Sequence, residues 1–224
     1  MQCQERDHAL FSLGLRTRAL DHAAILAEHD LDRFVRTHIL RPTWHFVAPE
    51  DLRWILALTS PRVEQKMAGR HRQLQLDEPG LLDATLEAIM SLIADRRFMT
   101  RRAIGDRFAE RSGVARAGEQ LGHVLMVAEL RGLICSGPSD GPHHTYALVD
   151  EVVAPTPGID RDEALVRLAH RFFAGHGPAD VKDFARWSSL TIADTRAALA
   201  QLNDVLERVE VGGMELWSDP AATV

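Results

Sequence analysis

The stretch "LICSGPSDGPHHTYALV", residues 133–149, decides how the chain is read. Two short apolar runs, "LICSG" and "TYALV", flank a segment rich in Gly, Pro, Ser and His, and that pattern predicts a β-hairpin. Ahead of it the periodicity is helical. Leu82, Leu86, Ile89 and Ile93 fall on one face over residues 81–95. Thr100 is placed to cap a short second helix that carries Ile104 and Phe108 and stops at Gly113. A third helix is expected over residues 115–131, with Leu121, Val124, Leu125 and Ala128 inward. Three helices and a hairpin, in that order and at these lengths, predict a winged helix-turn-helix.

The same order recurs from Asp162. Leu165, Leu168 and Phe172 mark a first helix that ends at Gly175 and Gly177. Pro178 is expected to open a second helix with Val181, Phe184 and Ala185 inward. Thr191 and Asp194 form a capping box for a third helix containing Leu199 and Leu202. Gly212-Gly213 then suits a two-residue hairpin loop between "LERVEV" and "MELW". Between the units, "VVAPTPG" is a linker. The first 75 residues are less regular: Asp21 is a cap for a helix through Ala27, residues 34–47 alternate as a hairpin, and Ala48-Pro49 starts another helix with Leu52, Ile55 and Leu56 inward. The expected fold is α+β and mostly helical, in tandem winged helix-turn-helix units: a partial one at residues 1–78, then complete ones at 79–152 and 160–219.

The 224 residues suffice for one large core or a few small ones. No run of about 18 apolar residues is present, so no membrane partner is expected, and nothing at the amino end reads as a signal peptide. Cys3 and Cys135 make no disulfide framework, and a cytoplasmic location is the expectation. The net charge of −6 counts against a large nucleic-acid surface, but its distribution is polarised. From Asp95 to Arg116, Arg96, Arg97, Arg101, Arg102, Arg107, Arg111 and Arg116 outnumber Asp95, Asp106 and Glu110. A second basic cluster, Arg62, Lys66, Arg70 and Arg72, is opposed by Glu64.

The segments "GLRTRAL", "VRTHILRPTWHFVAPEDLRWILALTSPRV", "LMVAELRGLICSGP", "HTYALVDE" and "HGPADVKDFARWSSLT" resemble the AlkZ-like (YcaQ-type) superfamily of winged-helix DNA glycosylases over nearly the whole chain, from Gln2 to about Trp217. The resemblance implies tandem winged helices around a channel that accepts DNA. It also implies longer relatives at both ends, so a shortened first unit and a missing C-terminal domain are expected. The family's catalytic signature is a glutamine, one residue, then a second glutamine, shortly before a "GLRTR"-like stretch. On this chain the signature falls on Gln2 and Gln4, with Cys3 between them.

Two glutamines suit one kind of chemistry. An N7-alkylated purine already carries a positive charge, so its glycosidic bond is weakened and no strong general acid is required. A carboxamide can accept from a water through oxygen and donate through nitrogen without adding charge beside the phosphates. Positioning of this kind can be worth roughly 7–11 kcal/mol at best. Side chains at i and i+2 share a side only on an extended chain, so the pair demands an extended or irregular segment. On spacing alone, Gln2 and Gln4 read first as a solvated polar start, and it is the resemblance that turns them into a site.

Other candidates carry two readings each. Arg41, Thr43 and His45 sit where the first hairpin could meet DNA backbone or lesion, although His45 between Trp44 and Phe46 is also readable as a hydrogen-bonded structural histidine. Arg116, Gln120 and His123 lie opposite Leu121 and Leu125 on the helix that commonly enters the major groove, or against a neighbouring unit. Arg101, Arg102, His143 and His144 suit phosphate contact, or a solvated wing. No metal site is expected: the histidine pairs lack ligand spacing. No cofactor is expected either. The partner is double-stranded DNA, alkylated in the repair reading, with self-association through apolar faces left exposed by missing parts. A non-catalytic DNA-binding regulator and a protein-interaction scaffold are the alternative functions.

Overall fold

The computed structural model describes residues 1–17 and 21–221. Two helices, α1 (Arg6–Gly14) and α2 (His22–Asp30), lead into a hairpin of β1 (Val35–His38) and β2 (Trp44–Val47). Asp21 caps α2 by accepting from Ala24 N–H at 2.8 Å, as its sequence predicts. The hairpin pairs Val35 with Val47 and His38 with Trp44. A 25-residue helix α3 (Pro49–Gln73) follows, started by Pro49 with Glu50 and Asp51 in its first turn.

The middle unit comprises α4 (Leu81–Ile93), α5 (Arg101–Phe108), α6 (Glu119–Leu130), β3 (Ile134–Asp140), β4 (His143–Leu148) and a one-turn helix α7 (Val149–Val152). Thr100 caps α5 by accepting from Ala103 N–H at 3.2 Å. Two expectations need correction. The third helix begins at Glu119 rather than Ala115, because Gly118 takes φ +91° and breaks the helical path. The wing turn is only Gly141-Pro142, so His143 and His144 belong to β4. Gly141 at φ +56° opens that two-residue turn.

The last unit repeats the order: α8 (Arg161–His176), α9 (Val181–Ser188), α10 (Ile192–Gln201), β5 (Glu207–Val211) and β6 (Met214–Ser218). Pro178 does not start α9, against expectation. Asp180 caps it, accepting from Lys182 N–H at 2.7 Å and Asp183 N–H at 2.8 Å. Ala179 instead pairs with Trp217. Thr191 and Asp194 close a capping box on α10, and Gly212 and Gly213 both adopt positive φ in the β5–β6 turn. The fold class is therefore α+β, with helices and three small antiparallel hairpins among the described residues.

Packing does not follow chain order. Residues of β1 and its turn (Val35, Ile39, Leu40) and of α3 (Leu52, Ile55, Leu56) share one core with Phe172, Phe173, Phe184 and Trp217 of the last unit. The middle unit has its own core around Ile89, Ile104, Leu121, Leu125 and Tyr146. The far end of α3 reaches that unit through Arg70–Glu119 and Gln120 Nε2 to Leu74 O at 2.8 Å. No helix among the described residues is long and apolar enough to cross a membrane.

Removing the double cap of α9 leaves two N–H groups unpaired. Asp180→Ala is expected to cost about 1 kcal/mol, read as a fall of about 2–4 °C in Tm by calorimetry.

Candidate functional site

The amino-terminal segment adds a strand to the outer edge of β2. Met1 O accepts from Phe46 N–H at 2.8 Å, and Cys3 N–H donates to Trp44 O at 2.7 Å. Gln2 pairs with His45, and His45 pairs with Thr37 across the hairpin. Paired residues share a face, so Gln2, His45 and Thr37 form one row. Cys3 and Phe46 turn to the opposite face and are buried with Leu10 and Ile25. The segment is extended at Gln2 but bends at Gln4, so the structure does not bring both amides into one extended row.

Both amides have a fixed orientation. Gln2 Oε1 accepts from Arg41 Nη2 at 2.9 Å, and Gln4 Oε1 accepts from Trp44 N–H at 2.7 Å. Each partner can only donate, so the oxygen must face it and the NH₂ group must face away. Arg41 reaches Gln2 from a tight turn: its N–H donates to Ile39 O at 2.7 Å, with Leu40 at φ +67° between them. A non-glycine residue there costs on the order of 1–3 kcal/mol, and the rigid turn carries the guanidinium that orients Gln2.

Gln2, Arg41 and His45 line a cleft of about 690 Å³. Its other walls include Arg16 of the amino-terminal part and Arg171, His176 and Trp187 of the last unit. Asp51 is the acid in this lining and is bound to Arg171. Most of the lining is apolar, and among its charged residues arginines outnumber the single acid. Gln4 lies one residue beyond the pairing, outside that lining, and Thr43 sits half-buried in the turn.

His45 is 3% exposed, and its Nδ1 lies 3.0 Å from Thr43 O, so that nitrogen carries the proton of the neutral ring. Nε2 has no hydrogen-bond partner among the described residues. Burial pushes its pKa down to about 4, partly offset by the Thr43 bond. His144 is likewise neutral: burial, then the Arg36 cation, push it down to about 3. Its Nδ1 meets Arg36 Nη1 at 3.3 Å and its ring lies edge-on to Trp44 and Tyr146. It therefore points into the junction between units, whereas His143 is exposed beside the wing turn.

Arg101, Arg102 and Arg116 are exposed. Arg101 donates to Gly118 O, and with His38, Trp44 and His123 it borders a second cleft of about 250 Å³. Gln120 is committed to its own neighbourhood, accepting from Arg116 N–H at 2.6 Å and donating to Leu74 O. His123 packs edge-on to His71 of α3, with ring centroids 5.6 Å apart. This face of α6 is thus half occupied by α3. Sequence reasoning missed Arg36, His38 and Glu129, which lie buried behind Trp44. A charged residue on an otherwise apolar helix turn, as in "VAELRG", was the available signal for Glu129. No group of three or more metal-ligating side chains occurs among the described residues.

A family model described as DNA glycosylase AlkZ-like matches residues 1–224. An interstrand DNA cross-link repair glycosylase of Streptomyces sahachiroi is 27% identical over 240 residues, which cover 97% of this chain and 60% of that one. The solved structure of the Streptomyces sahachiroi DNA glycosylase AlkZ shares the fold, with TM-score 0.77 at 23% identity, covering 98% of this chain and 61% of that one. The chain spans about three fifths of the length of these relatives.

The two neutral histidines fix an acid response. The unfolded chain takes up a proton as pH falls through about 6.5, but folded His45 does so only near 4 and folded His144 near 3. Their stabilisation is present above pH 6.5 and lost on acidification, by about 2 kcal/mol for each at pH 5. His45→Asn, which keeps a donor for Thr43 O, is expected to reduce the drop in urea midpoint between pH 7 and pH 5.

Proposed function

The chain belongs to the AlkZ-like family of DNA glycosylases, and on that premise we propose that it binds duplex DNA and releases alkylated purines by hydrolysing the N-glycosidic bond. The observation that carries this reading is the placement of Gln2: strand-paired, oriented by Arg41, and in the wall of a largely apolar cleft that also holds Arg16 and Arg171. An N7-alkylated purine is a cationic leaving group, so the protein's task is to seat it, place a water at the sugar carbon and tolerate a developing oxocarbenium ion. Gln2 Oε1 keeps a second lone pair for that water, while its NH₂ group, and that of Gln4, can donate to the departing base or the sugar. Neither adds a formal charge. Arg41 is suited to the phosphate flanking the lesion, with Thr43 beside it, and Arg16 and Arg171 extend the positive lining.

Arg101, Arg102, Arg116 and His143 are the proposed duplex-backbone contacts of the middle unit; all are exposed. Gln120 and His123 contribute less to base reading, because α3 covers part of their face. The curated relative is an interstrand DNA cross-link repair glycosylase.

Release of 7-methylguanine from alkylated duplex, followed chromatographically, tests the chemistry. Gln2→Ala and Gln4→Ala are expected to slow single-turnover release by about a hundredfold or more with folding and affinity intact, Gln2→Ala by the larger factor. Absence of release by the wild type, with duplex binding intact, would leave a DNA-binding module without the reaction. Duplex affinity is expected to fall as salt rises. Arg101→Ala should lower the salt slope by about one, and salt-independent binding would favour a protein partner instead.

A further inference from the structure

Arg36 stands on β1 with 5% of its surface exposed; two nitrogens of its planar fork reach the amino-terminal segment and Nη1 meets His144. Nε donates to Cys3 O at 3.2 Å and Nη2 to Gln4 O at 3.5 Å. The guanidinium lies 4.0 Å from the centroid of the Trp44 ring. Trp44 completes the grip: its N–H donates to Gln4 Oε1 at 2.7 Å and its carbonyl accepts from Cys3. Every hydrogen bond recorded for Gln4 among the described residues therefore comes from Arg36 or Trp44.

The Trp44 side chain is itself anchored in another unit. Its Nε1–H reaches both oxygens of Glu129 on α6, at 3.3 and 3.4 Å. Glu129 is 1% exposed and is also bonded to His38 Nδ1. Burying a guanidinium and a carboxyl group carries a large desolvation cost that only good pairing offsets. Apolar residues would fill this space at less cost. What they could not supply is direction: besides their bonds to His144 and His38, Arg36 holds residues 3–4 and Glu129 holds the Trp44 indole.

We propose that Arg36 and Glu129 are positioning residues for Gln4, acting through Trp44, so that the third helix of the middle unit sets the geometry of the amide pair in the first. This rests on Gln4 being part of the repair site. Neither residue touches the cleft that Gln2 lines; both act on substrate only through the segment they hold.

Trp44→Phe is the decisive variant, since it keeps a ring for Arg36 and a backbone N–H for Gln4 and removes only the link to Glu129. Single-turnover release of 7-methylguanine is expected to fall by about ten- to a hundredfold, with duplex affinity unchanged. Glu129→Leu should behave like Trp44→Phe. Glu129→Gln, which still offers an oxygen to Trp44 Nε1–H and donates to His38 Nδ1 once that ring takes its other neutral tautomer, should recover most of the rate. The second readout needs no activity: the Gln4 side-chain amide resonances, dispersed in the wild type, should move toward free-glutamine positions in Trp44→Phe and Glu129→Leu and stay in place in Glu129→Gln. Wild-type rates and unmoved Gln4 resonances in both disrupting variants would overturn the proposal. If the wild type releases no base, the repair reading fails while the resonances still decide whether the clamp positions Gln4.

Discussion

Two backbone hydrogen bonds, from Cys3 N–H to Trp44 O and from Phe46 N–H to Met1 O, turn the outer edge of β2 into the seat of the amino-terminal residues. An exposed strand edge is a row of unpaired donors and acceptors that something must cover. Here the cover is a segment of the same chain, and its pairing fixes side-chain direction at every position. Gln2 faces the cleft with His45, while Cys3 faces the small core with Phe46. Were the pairing shifted by one residue, the faces would exchange: Cys3 would take the cleft side and Gln2 would be forced toward Phe46. The turn at Leu40 and the cation at Arg36 hold that register.

Charge and neutrality are divided in the same region. Arg41 is bonded to Gln2 and Arg36 lies over Trp44, while His45 and His144 beside them are imidazoles that burial keeps uncharged. The same burial makes the histidines a source of acid sensitivity, because the low dielectric that keeps them neutral opposes protonation in the folded state.

Much of this was legible in the sequence because it is local. Thr100, Thr191, Asp194 and the Gly212-Gly213 pair act within a few residues of themselves, and all were placed correctly. Where non-local effects intervene, legibility ends. The start of α6 depends on the backbone angle of Gly118, and Pro178 yields the cap to Asp180 because Ala179 pairs with Trp217. At the site, an i, i+2 spacing could demand an extended segment but could not reveal which strand it would join. Glu129 and Arg36 belong to elements about a hundred residues apart in sequence, and no periodicity encodes that they share Trp44.

The shared core of the hairpin, α3 and the last unit has a kinetic consequence. Asp51 and Arg171 are bonded across 120 positions of chain, so one wall of the cleft closes onto the other only after a long loop has been pinned, and that loop contains a whole unit with a core of its own. Distant pairings of this kind form slowly compared with helices and adjacent hairpins. The two walls of the cleft therefore depend on contacts of high sequence separation, whereas the core of the middle unit is built within residues 76–146.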